Sequence, residues 1–260
     1  MWGNYAKGGM KVVDLVKICD EWLQPANFKD YCVNGLQVSN SGAVGSTIAS
    51  AVTASYDAIS AAAGHNAKIL LVHHGIFWQG DELKVTGMFY NRLKLLMQND
   101  MALIAYHLPL DEHNLYGNNV LLGEALGISA AEQQNLALMQ PSLGRFADCN
   151  FEYAKLLDKL SLIMARAPQQ MNFGPHKIRK IAWCTGAAQD GIIAAHKVGA
   201  DTYISGEVSE RTYHYAKELA MNYFSVGHHA SERFGVKALG DTLAKKYCLN
   251  HEYIEIDNPV

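Results

Sequence analysis

The chain has 260 residues, 49% of them apolar, with 22 Lys and Arg against 25 Asp and Glu for a net charge of −3. That length supports one large domain or two small ones with sizeable cores, and the weak negative charge without a Lys/Arg-rich run argues against nucleic-acid binding by bulk electrostatics. No apolar run approaches the roughly 18 residues of a membrane span; the five cysteines are scattered singly, which reads as reduced thiols, and with no signal-peptide core near the N-terminus the expected compartment is the cytoplasm.

Residues 1–9, MWGNYAKGG, carry no periodicity and read as an N-terminal extension before Met10. Apolar residues from Val12 to Leu23 recur at helical spacing, and Pro25 ends that helix. NFKDYCVNGLQVSNSG follows as a predicted loop with a turn at Asn34-Gly35. TIASAVTAS, YDAISAAAGHNA and KILLVHHG then read as strand, helix and strand, a βαβ unit. The second strand, Ile69 to Val72, is a continuous apolar run of the kind buried on both faces of a parallel sheet, and it delivers His73 and His74 to its carboxyl end. Successive strand side chains point to opposite faces, so the pair is expected to reach one ion only from a turn beyond the strand, or to serve one ion each.

NRLKLLMQNDM is a predicted helix and ALIAYHLPLD a strand ending in His107 and, past Pro109, Asp111. EHNLYGNNVLLGEALGI reads as loop then helix, with Gly127 as C-cap. Residues 129 to about 177 hold Pro141, Pro168 and Pro175 around a helical patch at Tyr153 to Ala165, and suggest a small subdomain or insertion. Then the earlier order returns: IRKIAWCTG a strand, AAQDGIIAAHKVGA a helix, DTYISGE a strand, RTYHYAKELAM a helix, and NYFSVGHHASE a strand end. IASAVTASYDAISAAAGHNAKILLVHHG and IAWCTGAAQDGIIAAHKVGADTYISGE share apolar pattern and length, and His107 and Asp111 are spaced like His228 and Glu232. We read this as an internal pseudo-repeat, two α/β halves.

The strand ends supply His73, His74, Asp111, His228 and Glu232. Imidazole and carboxylate without thiolate select Zn, Fe, Mn, Ni or Co, and three histidines with two carboxylates suit two ions with positions left open for chemistry. The alternative is ordinary polar residues at loop starts; two HH pairs, each closing an apolar strand, favour the metal. His107 and His229 are read as supports for ligands or as substrate contacts. Glu207 is a general base or an orienter, or a carboxylate favoured by a helix N-terminus. Ser55 is a helix cap or part of a phosphate cradle, and Cys184 a buried thiol before a nucleophile. Tyr213, His214 and Tyr215 are assigned to packing against the sheet or a neighbouring subunit.

The strings DYCVNGLQV, VHHGIFW, YHLPLDEHNLYGNN, AWCTGAAQD, ISGEVSE and VGHHASERFGV, in that order from about Met10 onward, resemble the NIF-three-like dinuclear metal-centre family, the GTP cyclohydrolase I type 2 homologs in their short bacterial form. The resemblance implies two similar α/β lobes, each a mainly parallel sheet flanked by helices, with the metal site in the cleft between them. It implies a discontinuous first domain, 10–125 plus 230–260, and a second at 126–229. It also implies two divalent metal ions per subunit held by His73, His74, Asp111, His228 and Glu232, and a toroidal hexamer. The function expected is a metal-dependent hydrolase acting on a small nucleotide-like or phosphorylated substrate, with His107 and Glu207 as catalytic residues. The alternative is a non-catalytic metal-binding, carrier or interaction protein forming a ring.

Overall fold

A computed structural model describes residues 9–82, 84–138 and 142–260. Residues 1–8 of the expected extension and Pro141 lie outside the described residues. In chain order the elements are α1 (Val12–Leu23), β1 (Gly35–Val38), β2 (Thr47–Thr53), α2 (Tyr56–Gly64), β3 (Ile69–His74), α3 (Gly87–Gln98), β4 (Ala102–Ala105), α4 (Leu108–Glu112) and α5 (Asn118–Ala125). They continue with β5 (Gln134–Asn135), β6 (Arg145–Glu152), α6 (Tyr153–Met164), β7 (Gln169–Asn172), β8 (Lys177–Cys184), α7 (Ile192–Lys197), β9 (Thr202–Ser205), α8 (Glu210–Glu218), β10 (Asn222–Ser225), α9 (His228–Ser231), α10 (Arg233–Tyr247) and β11 (Asn250–Tyr253). No helix among the described residues is long and apolar enough to cross a membrane.

The chain divides into two units, one running up to Leu110 and resuming over Gly235–Asp257, the other made of Asp111–Phe234 and Asn258–Val260. The first unit holds a five-stranded sheet in the order β1-β4-β3-β2-β11. Strands β4, β3, β2 and β11 are parallel and β1 is antiparallel to β4. The apolar run predicted as a doubly covered strand is indeed buried throughout: Ile69, Leu70, Leu71 and Val72 have 1% exposure or less. Leu70 and Val72 pack with Ile59 of α2, Leu96 of α3 and Leu103 of β4. Burial on this scale contributes about 1.5–3 kcal/mol per large aliphatic side chain. Ser55 accepts a hydrogen bond from the Ala58 backbone N–H, so it caps α2.

The second unit holds a six-stranded sheet, β5-β6-β8-β9-β10-β7, in which β8, β9 and β10 are parallel and both flanks antiparallel. Its two faces separate by the strand's period of two. Ile181, Trp183, Ile204 and Phe224 pack on one face with Leu156 and Leu160 of α6, while Ala182, Tyr203 and Tyr223 pack on the other with Ile192 and Ala195 of α7. Each unit thus contains three parallel strands, consecutive in the chain and adjacent in the sheet, joined by crossover helices. This is the fold class of two similar α/β lobes.

Several expectations need correction. The segment NFKDYCVNGLQVSNSG is not all loop: from Gly35, at φ +95°, it forms β1, whose four residues are too few for a visible period. Residues 129–177 are no insertion, because β6 and β7 complete the second sheet and α6 covers it. The predicted strand through Asp111 stops at Ala105, and Asp111 sits on the short helix α4, where the sequence Leu-Pro-Leu-Asp-Glu places Pro109 in a first turn that tolerates it. His228 likewise opens a helix, α9.

Candidate functional site

In the first unit, the carboxyl ends of β2, β3 and β4 bring together Thr53, His73, His74 and, two residues past β4, His107. His73 is wholly buried and His107 is 6% exposed. Each imidazole is held by its Nδ1 atom. His73 Nδ1 lies 3.0 Å from the Tyr106 carbonyl, His74 Nδ1 3.0 Å from Thr53 Oγ1, and His107 Nδ1 2.8 Å from Asp30 Oδ1. A carbonyl oxygen only accepts, so His73 donates from Nδ1. Tethered rings of this kind are the arrangement that metal-binding histidines need.

The ligand atoms of His73, His74 and His107 lie within 4.8 Å of one another, a grouping able to hold a metal ion. Strand alternation predicted that His73 and His74 diverge, yet both are strand residues with ring centroids 4.7 Å apart. They are the last two positions of β3, at the carboxyl end of the strand. The sequence reading gave His107 as a support for ligands, a substrate contact or a catalytic residue, and its ligand atom lies in the same grouping as those of His73 and His74. Tyr31 and Trp78 meet its ring edge-on, with centroids 5.0 and 5.2 Å away.

Asp30 sits beneath this cluster at 3% side-chain exposure. Its Oδ1 accepts from His107 and from the Cys32 backbone, and its Oδ2 from Asn34 Nδ2 and the Leu108 backbone, all at 2.8–3.0 Å. Burial by itself would raise this carboxyl; the hydrogen bonds, led by that from His107, outweigh it and hold Asp30 down at about 2.

In the second unit the same three strand positions are used again. Past β8, Thr185 donates to Asp111 Oδ1 (3.2 Å), which also accepts from Asn118 Nδ2 (2.9 Å). Past β9, Glu207 Oε1 lies 2.7 Å from His228 Nδ1, and His228 Nε2 lies 3.1 Å from Glu232 Oε2. Asp111 and Glu232 are 5% and 2% exposed. His228 is half-buried, and desolvation works against its charge, but hydrogen bonds and charge from Glu232 and then Glu207 raise it to about 9. The wholly buried Cys184 is pushed well up, chiefly by burial and then by the charges of Asp111 and Glu232, so it is an inert thiol. Gly186 has φ +68°, and a Cβ there would fall on Glu232 Oε1. The glycine therefore lets the carboxylate approach the turn after β8.

Of the remaining candidates, Glu207 orients His228, and the backbone N–H of His229 donates to the Val260 carbonyl. Tyr213 is 44% exposed and meets Phe173 edge-on, and His214 pairs with Glu210 on the surface of α8. Sequence reasoning missed Asp30, Thr53, Asn118 and Thr185. Asp30 had a weak signal, lying four residues before Asn34 in DYCVNG, and Asn118 another as one of two asparagines opening α5. The donors in both units are imidazole nitrogen and carboxylate oxygen without thiolate, which fits Zn, Fe, Mn, Ni or Co.

Residues 10–259 match the model of the family described as Duf34/NIF3 (NGG1p interacting factor 3). A relative from Pseudomonas aeruginosa, named GTP cyclohydrolase 1 type 2 homolog, is 42% identical over 251 residues, covering 94% of this chain and 97% of that one. A Vibrio cholerae relative of the same name is 40% identical over 264 residues, covering 96% of this chain and all of its own. Among solved structures, one titled protein ybgI, unknown function, superposes with a TM-score of 0.91 at 36% identity, covering 96% of this chain and 100% of that chain.

Proposed function

Because the chain belongs to the Duf34/NIF3 family, we propose that it binds two divalent metal ions per subunit through His73, His74, Asp111, His228 and Glu232 and works as a metal-dependent hydrolase. The observation that carries this reading is the repeated anchoring of histidines by Nδ1. His73, His74 and His107 in one unit, and His228 in the other, each have that atom tied to an oxygen, the tethering that orients a ligating imidazole. When bound, such ions supply Lewis acidity and lower the pKa of water.

The protein's own groups do the rest. Asp30 fixes His107 and keeps its Nε2 directed toward the other two rings, a placement suited to moving a proton at the reacting group. Glu207 fixes the ring of His228 from a position one-third exposed to solvent. Thr185 and Asn118 hold Asp111 in place. Tyr31 and Trp78 form an aromatic margin against which a planar substrate can stack, in keeping with a small nucleotide-like or phosphorylated compound. The relatives' name, GTP cyclohydrolase 1 type 2 homolog, agrees with a nucleotide-like substrate. The toroidal hexamer and a cytoplasmic setting belong to this proposal on the family resemblance and the composition.

The test is metal analysis of the native protein followed by assay, with each ion restored in turn, against a panel of nucleotides and phosphoesters. Two ions per chain and turnover lost in Asp111→Asn are the expected results. Retained metal with no turnover across the panel would replace the hydrolase by a non-catalytic metal-binding or carrier role.

A further inference from the structure

We propose that a cavity of about 680 Å³ in the first unit is a binding site for a small monoanionic ligand, one with an apolar or aromatic body and a single carboxylate-like group anchored by Arg92. This proposal does not depend on the metal reading. The cavity's walls are apolar: Leu36 from β1, Ile76, Phe77 and Trp78 from the chain after β3, and Phe89 from α3. Phe77 and Phe89 meet edge-on with centroids 5.3 Å apart, which fixes that side of the cavity. The volume falls within the range of small-molecule sites.

The polar groups narrow the ligand. Gln37 lines the cavity, but its amide is committed within the protein, accepting from the Ile76 and Phe77 backbones and donating to the Val33 carbonyl. Arg92 differs. Its Nε is buried without a hydrogen-bond partner among the described residues, and burial works against its charge. A guanidinium stays charged under these conditions, and as a residue lining the cavity Arg92 offers its fork to an anion there, for which a carboxylate matches the geometry. Asp81 and Glu82 also border the cavity, from exposed positions; Glu82 pairs with Lys84. These carboxylates, one of them paired with Lys84, repel a phosphate dianion more than a single negative charge. Trp78 lines the cavity while its ring meets those of His107 and His74, so a ligand there touches a residue in contact with the histidine cluster.

The experiment titrates the full-length protein with 4-phenylbutyrate and with its neutral isostere 4-phenylbutyramide, followed by calorimetry and by fluorescence, with Trp78→Phe assigning the fluorescence signal. The carboxylate should bind at one site per chain and about tenfold more tightly than the amide. Arg92→Leu should bring the carboxylate down to the amide's affinity, Arg92→Lys should retain part of the difference, and Val33→Trp at the exposed rim should weaken both probes. Equal affinity of the two probes, an Arg92→Leu protein that still discriminates, or no saturable binding overturns the proposal. So does binding that appears only on dilution, which would mean that a second copy of the chain covers the face. Metal content, measured on every variant, should stay at the wild-type level; its loss in the wild-type protein would count against the metal reading and leave this one standing.

Discussion

Asp30→Asn keeps the shape of the side chain and removes its charge from beneath His107. The wild-type carboxylate accepts four hydrogen bonds, two on each oxygen. An amide cannot replace it in either orientation, because its NH2 would face two donors. The fall of Asp30 from its ordinary 3.8 to about 2 amounts to about 2 kcal/mol of preference for the charged form in the folded protein. At 3% exposure little of this is lost to solvent. Donors left facing the amide add a further ~1 kcal/mol. Because the carboxyl is held below its unfolded value, its contribution is complete above about pH 5 and disappears as the pH falls toward 2. Urea unfolding of metal-free protein should therefore show the variant about 2–3 kcal/mol less stable at pH 7, with the difference from wild type narrowing steadily between about pH 5 and pH 2. A variant within about 0.5 kcal/mol at pH 7, or a difference that does not narrow with acid, would refute the account of Asp30 as a charged anchor.

His228 must give up its proton to bind a metal, and in the metal-free protein that proton is held up to about 9. Metal affinity measured with a competing chelator should rise about tenfold per pH unit from pH 7 and level off above 9, with proton release on binding; the same raised value makes His228 a stabilising charge at pH 7 that is lost as the pH rises through 9. Glu207→Gln, which removes one of the carboxylates that hold the proton, should shift that levelling to lower pH in the same titration. Gly186→Ala should cost about 1–3 kcal/mol in thermal unfolding through its positive φ, and should lower metal content by displacing Glu232. His74→Ala should lower metal content while circular dichroism and thermal unfolding of the metal-free protein stay close to wild type, because its ring hydrogen bond is to Thr53 near the strand end; wholesale unfolding would instead indicate a metal that staples the fold.

The parallel strands were legible because burial on both faces leaves continuous apolar runs, as in Ile69 to Val72 or Ile181 to Cys184, and the histidines were legible because they end such runs. β6 was not. It joins the second sheet with a register shift between Asp148 and Phe151, and exposed residues such as Asp148 interrupt its apolar pattern. β11, NHEY, offers no apolar signal at all; it is placed by pairing with β2, from Asn250 opposite Thr47 to Tyr253 opposite Ser50. The residues that hold the site's ligands were hidden for another reason. Asp30 meets His107 across 77 positions and Thr185 meets Asp111 across 74, and no local pattern encodes a contact between segments that distant.

The two units prepare unlike donor sets at equivalent strand ends. The first offers the imidazoles of His73 and His74, beside His107, whose ring Asp30 orients. The second offers two buried carboxylates and one imidazole, that of His228, whose ring Glu207 orients in the same way. An imidazole set favours borderline ions such as Zn, Ni or Co, whereas a carboxylate-rich set accommodates harder ions such as Mn. Substituting within one set should therefore change metal preference as well as occupancy. His73→Asp should shift competition between Zn and Mn toward Mn, and Asp111→His should shift it toward Zn, read as the ratio of the two metals retained from an equimolar mixture. Equal ratios in both variants and the wild type would mean that the protein's donors do not set the choice of metal.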